Sequence, residues 1–209
     1  MVAHIEPAVE FKVWQAIQGG VDMLILRAKE DSVGTIKTSL SNLRTSLGKG
    51  FPIIVNAGNR FAKLPEASGY HLPEIAMRDD VAKEELAKVS GKATSRSKAI
   101  GISVHSVESA KEAEAFHPDY LLAGTIFETR SHPGEAAGGV ERLRAICEAT
   151  SVPVIAIGGI TPENAADCIR AGAIGIAAFS PFKGAGREAL GKAYKKAMFI
   201  DRTGTTGQR

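Results

Sequence analysis

The stretch SVPVIAIGGITPENAADCIRAGAIGIAAFSPF, residues 151–182, decides the fold class of this chain. Its first apolar run, residues 152–157, has the length of a buried parallel strand and is too short for a helix. Gly158 and Gly159 end that run, and Thr161 predicts the N-cap of a helix. A second apolar run, residues 174–179, follows the helix. The order strand, helix, strand is that of a βαβ unit in a parallel sheet.

Glycines at the carboxyl end of a parallel strand mark a place where a ligand can approach the backbone. Free N–H groups in such a turn can bind a phosphate. We therefore expect Gly158 and Gly159 to form one phosphate-binding pocket with Phe179 and Ser180, which end the next strand. In a (β/α)8 barrel, the loops after the last two strands form this kind of site. The alternative is that the glycines serve only tight turns.

The same alternation of apolar runs and helical segments extends along the chain, with strands about 25 residues apart. It predicts an α/β protein that is a single (β/α)8 TIM barrel over residues 1–200. Its first strand, at residues 3–5, is expected to be short or irregular. The polar tail, residues 201–209, is expected to be disordered.

Composition excludes several classes of function. The net charge of +3 is too small to indicate binding to nucleic acid or to an anionic membrane. No apolar run approaches the roughly 18 residues that a membrane span needs. Cys147 and Cys168 lack the spacing of a metal or redox motif, and we interpret them as reduced thiols of a cytoplasmic protein.

Polar side chains follow most of the predicted strands, and in a barrel the carboxyl ends of the strands form one ring. The ring contains Arg27, Lys29, Asn56, His71, Ser103, His105, Thr129, Ser131 and Ser180. We interpret it as a pocket for a phosphorylated small molecule, with Arg27 and Lys29 as an anion clamp. His71 and His105 could instead be structural histidines. The polar residues 125–134 lie in a long irregular stretch and are expected to cover the substrate.

These features resemble the thiamine phosphate synthase/TenI superfamily over nearly the whole chain. Residues 25–30, 54–56, 69–73, 101–106, 124–134 and above all 154–180 carry the resemblance. It implies a (β/α)8 barrel and one of two activities. The synthase branch joins a pyrimidine diphosphate to a thiazole phosphate and releases pyrophosphate. The TenI branch includes a tautomerase that moves a proton to aromatise a thiazole carboxylate phosphate.

The resemblance also implies which residues contact these substrates. It places the thiazole phosphate on Gly158, Gly159, Phe179 and Ser180. Thr129 and Ser131 match two hydroxyls of the family's threonine-rich loop, while His71 and Thr125 are further expected contacts. Arg27, Lys29, Asn56 and Ser103 match diphosphate ligands of the synthase.

Two departures from the synthase pattern concern a magnesium ion. The resemblance implies two aspartates that hold it, and both positions carry alanine here, Ala57 and Ala76. A departing diphosphate carries about three negative charges that a metal normally neutralises. Glu74 or Asp79 could substitute for these aspartates, although neither lies at the expected offset.

Residues 71–73 and 127–129 look more like the TenI branch. We therefore expect a TenI-like tautomerase, an isomerase without a cofactor, and magnesium only if the chain is a synthase.

The TenI branch also has a departure, because its histidine is replaced by Thr125 and a hydroxyl is a poor general base near pH 7. We expect His132 to move the proton instead, with Glu128 and His105 as weaker candidates. The alternatives are a thiamine phosphate synthase and a non-catalytic protein that binds thiazole phosphate or thiamine phosphate. The expected partner is a small-molecule thiazole phosphate, and the resemblance suggests a homodimer.

Overall fold

Eight parallel strands follow one another around the protein in sequence order. The computed structural model describes residues 1–6, 8–29, 31–56, 64–84, 98–129 and 137–199. The strands are β1 (Val2–His4), β2 (Leu24–Arg27), β3 (Ile53–Asn56), β4 (Gly69–Leu72), β5 (Ala99–Val104), β6 (Tyr120–Ala123), β7 (Val154–Ile157) and β8 (Gly175–Ala177). A hydrogen bond from Val2 N to Ala178 O, 3.0 Å long, joins the end of β8 to β1. The predicted (β/α)8 barrel is confirmed.

The first strand is as short as expected, although it begins one residue earlier than predicted. Its three residues pair in parallel with β2, so that Val2 lies opposite Ile25 and His4 lies opposite Arg27. This register places His4, at the end of β1, beside Arg27, at the end of β2. The weakest strand of the sequence pattern therefore contributes a side chain to the same end of the barrel as the predicted ring.

Helices alternate with the strands. They are α1 (Val9–Gln18), α2 (Val33–Leu47), α3 (Val107–Glu114), α4 (Gly139–Ala149), α5 (Ala165–Arg170) and α6 (Arg187–Phe199). Residues 80–84 are also helical. Short 3-10 helices cover Glu74–Arg78 and Ser180–Lys183.

The helix after β7 begins later than predicted. Thr161 was expected to cap it, but α5 starts at Ala165 and Asn164 is its N-cap. The Asn164 Oδ1 accepts a hydrogen bond from Thr161 N (2.8 Å), and its Nδ2 donates one to Gly159 O (3.2 Å). The side chain thus folds residues 161–164 into a separate turn, which ties the start of the helix to the glycine pair.

The apolar spacing of residues 6–18 predicts a helix with Val9, Val13, Ile17 and Trp14 pointing inward, and for Trp14 this prediction is wrong. The buried residues of α1 are Val9, Val13 and Ala16, while Trp14 is 47% exposed. Residues three and four apart share one helix face. Val9, Val13 and Ala16 define the buried face of α1, and Trp14 lies at its edge, partly exposed to solvent.

Apolar side chains fill the barrel interior below the strand ends. They come from Val2, Ile25, Ile54, Tyr120, Leu122 and Ala177, while a larger cluster packs between strands and helices. The Tyr120 ring needs Gly101 on the neighbouring strand, because a methyl group there would overlap it. The interior is therefore closed at mid-height, and any ligand must bind above this layer.

Within the described ranges, no helix has both the length and the apolar character needed to cross a membrane. Cys147 and Cys168 are free thiols. The predicted tail, residues 201–209, lies outside the described residues.

Candidate active site

A cavity of about 800 Å³ opens at the carboxyl ends of the strands. The predicted site residues that line it are Arg27, Lys29, Asn56, His71, Ser103, His105, Thr125, Glu128, Thr129, Gly158, Gly159, Phe179 and Ser180. Ser131 and His132 lie outside the described residues, so their placement stays a prediction. The structure thus brings every described candidate to one cavity, whereas their individual roles remain proposals.

The glycine pair after β7 is shaped by the loop that follows β6. Gly158 and Gly159 have φ angles of 103° and 63°, and residues other than glycine rarely adopt such positive values. Ile126 N donates to Ile157 O and Phe127 N donates to Gly158 O, each at 3.0 Å. A methyl carbon on Gly158 would lie 2.6 Å from Thr125 Cγ2, and one on Gly159 would lie 2.6 Å from Phe127 O. Both the backbone conformation and this close approach require glycine at these positions. Because glycine has no side chain, a ligand can approach the backbone of this wall.

Basic side chains lie on the neighbouring part of the wall, from β8 through β1 to β2. We call this set the basic arc: Lys183, His4, Arg27 and Lys29, all of which line the cavity. The His4 ring packs against the Phe179 ring with centroids 4.9 Å apart, and Lys183 Nζ lies 4.4 Å from the centre of the same ring. Burial, then the charges of Arg27 and Lys183, lower the pKa of His4. His4 and Lys183 therefore share the Phe179 ring as a common neighbour.

The sequence-based prediction missed His4 and Lys183. His4 was missed because β1 is only three residues long, so the sequence indicated this strand only weakly. Lys183 lies at the end of a single 3-10 turn after β8, a feature that no apolar periodicity reveals.

His71 lies at the floor of the cavity and is only 1% exposed. Its Nδ1 lies 3.1 Å from the Tyr120 hydroxyl, and its Nε2 lies 2.8 Å from Ser103 Oγ. Burial, then the charge of Lys29, lowers the pKa of His71 to about 3, and burial raises the pKa of Tyr120. At neutral pH this imidazole is uncharged and far too weak a base for proton abstraction. It links a core tyrosine to a serine hydroxyl in the cavity.

The acidic side of the cavity lies across from the basic arc. Glu74 Oε2 lies 2.6 Å from His105 Nδ1, and the His105 side chain is 56% exposed. Glu128 is exposed on the loop after β6. The cavity therefore has cations on the β8–β1–β2 side and carboxylates on the β4–β6 side.

Magnesium requires oxygen ligands, usually one or two carboxylates together with substrate phosphates and water. Among the described residues, no group of three or more His, Cys, Asp or Glu side chains could hold a metal. Of the described carboxylates in the cavity wall, Glu74 already contacts His105 and Glu128 is exposed. Ala76 is buried, and Ala57 lies outside the described residues. These side chains do not fit a resident magnesium ion.

Comparison with known proteins identifies the family to which this barrel and cavity belong. A family model described as thiamine monophosphate synthase matches residues 4–182. The chain belongs to the thiamine monophosphate synthase family. A thiamine-phosphate synthase from Natronomonas pharaonis is 37% identical over 169 residues, which cover 79% of this chain and 75% of that protein. One from Chloroflexus aurantiacus is 36% identical over 167 residues, covering 79% and 73% of the two chains.

A solved structure of a family member shares the fold along the whole barrel. The thiamine phosphate pyrophosphorylase from Pyrococcus furiosus superposes with a TM-score of 0.76 at 28% identity, covering 95% of this chain and 94% of that one.

These relatives contradict the expectation of a tautomerase. The two relatives compared by sequence are named thiamine-phosphate synthase, a transferase, and the solved structure is named thiamine phosphate pyrophosphorylase. The preference for an isomerase was therefore wrong, and the alternative is better supported. The expectation rested largely on the alanines at positions 57 and 76, which stand where the resemblance implies metal ligands that neutralise a leaving diphosphate. The basic arc, of which the sequence had revealed only half, offers positive charge from another part of the wall.

Proposed function

We propose that this protein is a thiamine-phosphate synthase, a transferase that joins a thiazole phosphate to a pyrimidine diphosphate and releases pyrophosphate. The observation that carries the proposal is one cavity with two groups of residues suited to anions. The glycine pair and Ser180 form one group, and Arg27 and Lys29 form the other. The similarity to proteins named thiamine-phosphate synthase supports the same assignment.

In this reaction the ring nitrogen of the thiazole attacks the exocyclic methylene carbon of the pyrimidine with its lone pair. A carbon–nitrogen bond forms, the carbon–oxygen bond to the diphosphate breaks, and the electron pair of that bond leaves with pyrophosphate. The attacking nitrogen carries no proton, so the step needs no general base. The neutral, weakly basic His71 agrees with such a mechanism, since its low pKa would make it a poor proton acceptor.

The chain contributes orientation and charge to this displacement. We assign Arg27 and Lys29 to the diphosphate, because guanidinium and ammonium groups stabilise the charge that grows on a leaving phosphate. Asn56 and Ser103 are assigned to the same group through their polar side chains. His71 holds the Ser103 hydroxyl from below at 2.8 Å, which fixes its direction.

The thiazole phosphate is assigned to Gly158, Gly159 and the Phe179–Ser180 turn. Next to these polar groups, Ile25, Leu122 and Ile157 give the cavity apolar walls. Apolar walls with a few convergent polar groups are typical of sites for small molecules, and they suit two flat heteroaromatic rings. Thr125 and Thr129 lie on the adjacent loop and are assigned to the thiazole side.

The test is a turnover assay with the purified protein, prepared from a host that lacks its own synthase. Pyrophosphate and thiamine phosphate are measured separately with both substrates, and again with either substrate omitted. We expect equal amounts of the two products and none when the thiazole phosphate is left out. An Arg27→Met protein prepared in parallel is the matched control. Pyrophosphate without thiamine phosphate, or no product with both substrates, would refute the proposed function.

We further propose that the protein acts as a homodimer, as the family resemblance suggests. Sedimentation equilibrium tests this directly, and a single species of 22.0 kDa would contradict it.

A further inference from the structure

We propose that Lys183 binds the phosphate of the thiazole substrate, as an additional ligand beside the glycine pair and Ser180. The inference rests on the proposed function for the identity of the ester, although the binding of a phosphate group at this place can be measured without turnover. Lys183 is not among the residues that the family resemblance implies.

The turn that carries Lys183 is fixed from beneath. Phe182 is buried and stacks against Tyr194 with ring centroids 6.0 Å apart. Arg187 donates from Nε to Phe182 O at 2.8 Å and from Nη2 to Lys183 O at 3.0 Å. The same guanidinium reaches Gln15 Oε1 on α1 at 3.1 Å. The backbone of the 3-10 helix Ser180–Lys183 is therefore held against the barrel, and its last residue stays at the cavity wall.

The ammonium group of Lys183 is also oriented. It lies 4.4 Å from the centre of the Phe179 ring, a distance at which the ring face attracts a cation. His4 packs against this ring at 4.9 Å. Phe179 is thus a platform between two nitrogen-bearing groups, directly before Ser180 in the chain.

Lys183 takes part in none of the ion pairs formed within the described residues. The described carboxylates that line the cavity, Glu74 and Glu128, follow β4 and β6, whereas Lys183 follows β8. By contrast, Lys192 on α6 pairs with Glu188 at 2.6 Å.

Three features therefore converge at one place on the wall. Two glycines leave room for an oxygen-rich group, Ser180 carries a hydroxyl, and Lys183 adds a positive charge whose ammonium group lies over the Phe179 ring. A phosphate dianion matches this combination better than a neutral group, because a charged acceptor gains most from an ammonium donor. The sulfur-containing ring of the ester would then point towards the apolar wall.

The experiment measures binding rather than turnover. Calorimetric titrations compare the thiazole phosphate with the same thiazole lacking its phosphate, using wild type, Lys183→Met, Lys183→Arg and the control Lys192→Met. We expect Lys183→Met to weaken the phosphate ester about fivefold, a modest factor because the side chain is exposed. Binding of the unphosphorylated thiazole should not change. Lys183→Arg should restore most of the affinity, and Lys192→Met should equal wild type.

A kinetic readout separates this residue from the diphosphate ligands. In the turnover assay, Lys183→Met should raise KM for the thiazole phosphate and leave KM for the pyrimidine diphosphate unchanged. Equal affinity of Lys183→Met and wild type for the ester would overturn the proposal, and so would an equal loss for the unphosphorylated thiazole. Failure of wild type to bind the ester would also overturn it. If binding depends on Lys183 but wild type forms no thiamine phosphate, the synthase assignment fails and this inference stands.

Discussion

Replacing Gly159 by alanine tests whether the phosphate-binding turn requires glycine for two separable reasons. The residue has a φ of 63°, and its added methyl carbon would lie 2.6 Å from Phe127 O and closer still to Glu128 O. The left-handed conformation costs a residue with a Cβ about 1–2 kcal/mol. The overlap falls on backbone atoms, which cannot rotate away as a flexible side chain could. Overpacking of that kind costs about 1–3 kcal/mol.

The two contributions predict that Gly159→Ala lowers the free energy of unfolding by about 2–5 kcal/mol. Alanine substitutions at two other glycines separate the conformational contribution from the steric one. Gly186 has a φ of 75° but open space where a methyl group would be, so Gly186→Ala should lose only the conformational share, about 1–2 kcal/mol. Gly184 has a φ of −78° and equally open space, so Gly184→Ala should be close to neutral.

Urea denaturation, followed by circular dichroism, gives the three unfolding free energies under identical conditions. Calorimetry with the thiazole phosphate then measures whether the displaced loop also changes the pocket, and we expect Gly159→Ala to bind the ester more weakly than either control. If Gly159→Ala lost no more stability than Gly186→Ala, the close approach of residues 127 and 128 would be irrelevant. Packing against the loop after β6 would then not be a reason for glycine at position 159.

Three further predictions follow from the site and its surroundings. Because burial and Lys29 lower the pKa of His71 to about 3, the unfolded chain binds a proton near the ordinary value of 6.5 that the folded protein does not bind. Above pH 6.5 this histidine does not reduce the free energy of unfolding, but below it the free energy falls by up to about 1.4 kcal/mol per pH unit. The urea midpoints of wild type should therefore decline more steeply from about pH 7 to pH 5 than those of His71→Gln. Magnesium titrated into the substrate-free protein should give no saturable heat below about 1 mM, since the described carboxylates do not form a metal site; tight binding would contradict this. Burial raises the pKa of both Cys147 and Cys168 to about 11, so a thiol reagent at about pH 8 should label neither thiol in the native protein and both in urea, whereas rapid native labelling would contradict the packing.

The sequence was sufficient for the fold because its strongest signals are local and repeated. β7, β8 and the helix between them lie within the stretch that first indicated a βαβ unit. Ser106 is an equally local signal, since a serine before a helix is a typical N-cap, and it caps α3 by accepting a hydrogen bond from Ser109 N at 3.1 Å. Every described member of the predicted ring lines the cavity, since parallel strands must end on the same side of a barrel.

The remainder depends on contacts between segments far apart in the chain. The sequence could not exclude Trp14 from the core, because the way α1 packs on the barrel decides which of its faces is buried. Lys183 was missed because its position depends on Phe179 beneath its ammonium group and on Arg187 beneath its backbone. The bonds from His71 to Tyr120 and Ser103 join residues 49 and 32 positions apart. No spacing rule within one element connects such residues.

The same limitation explains the error about the reaction. Two alanines at positions where the family has metal ligands argued against a departing diphosphate only if its charge had to be neutralised at those positions. Electrostatic stabilisation depends on the total field at the leaving group, so charges from several walls of a cavity can contribute. Arg27 and Lys29 lie on one wall of the cavity, while the described carboxylates that line it, Glu74 and Glu128, lie on the opposite side. A site with this charge distribution favours an anionic leaving group, and the neutral His71 at its floor is too weak a base to accept a proton near pH 7.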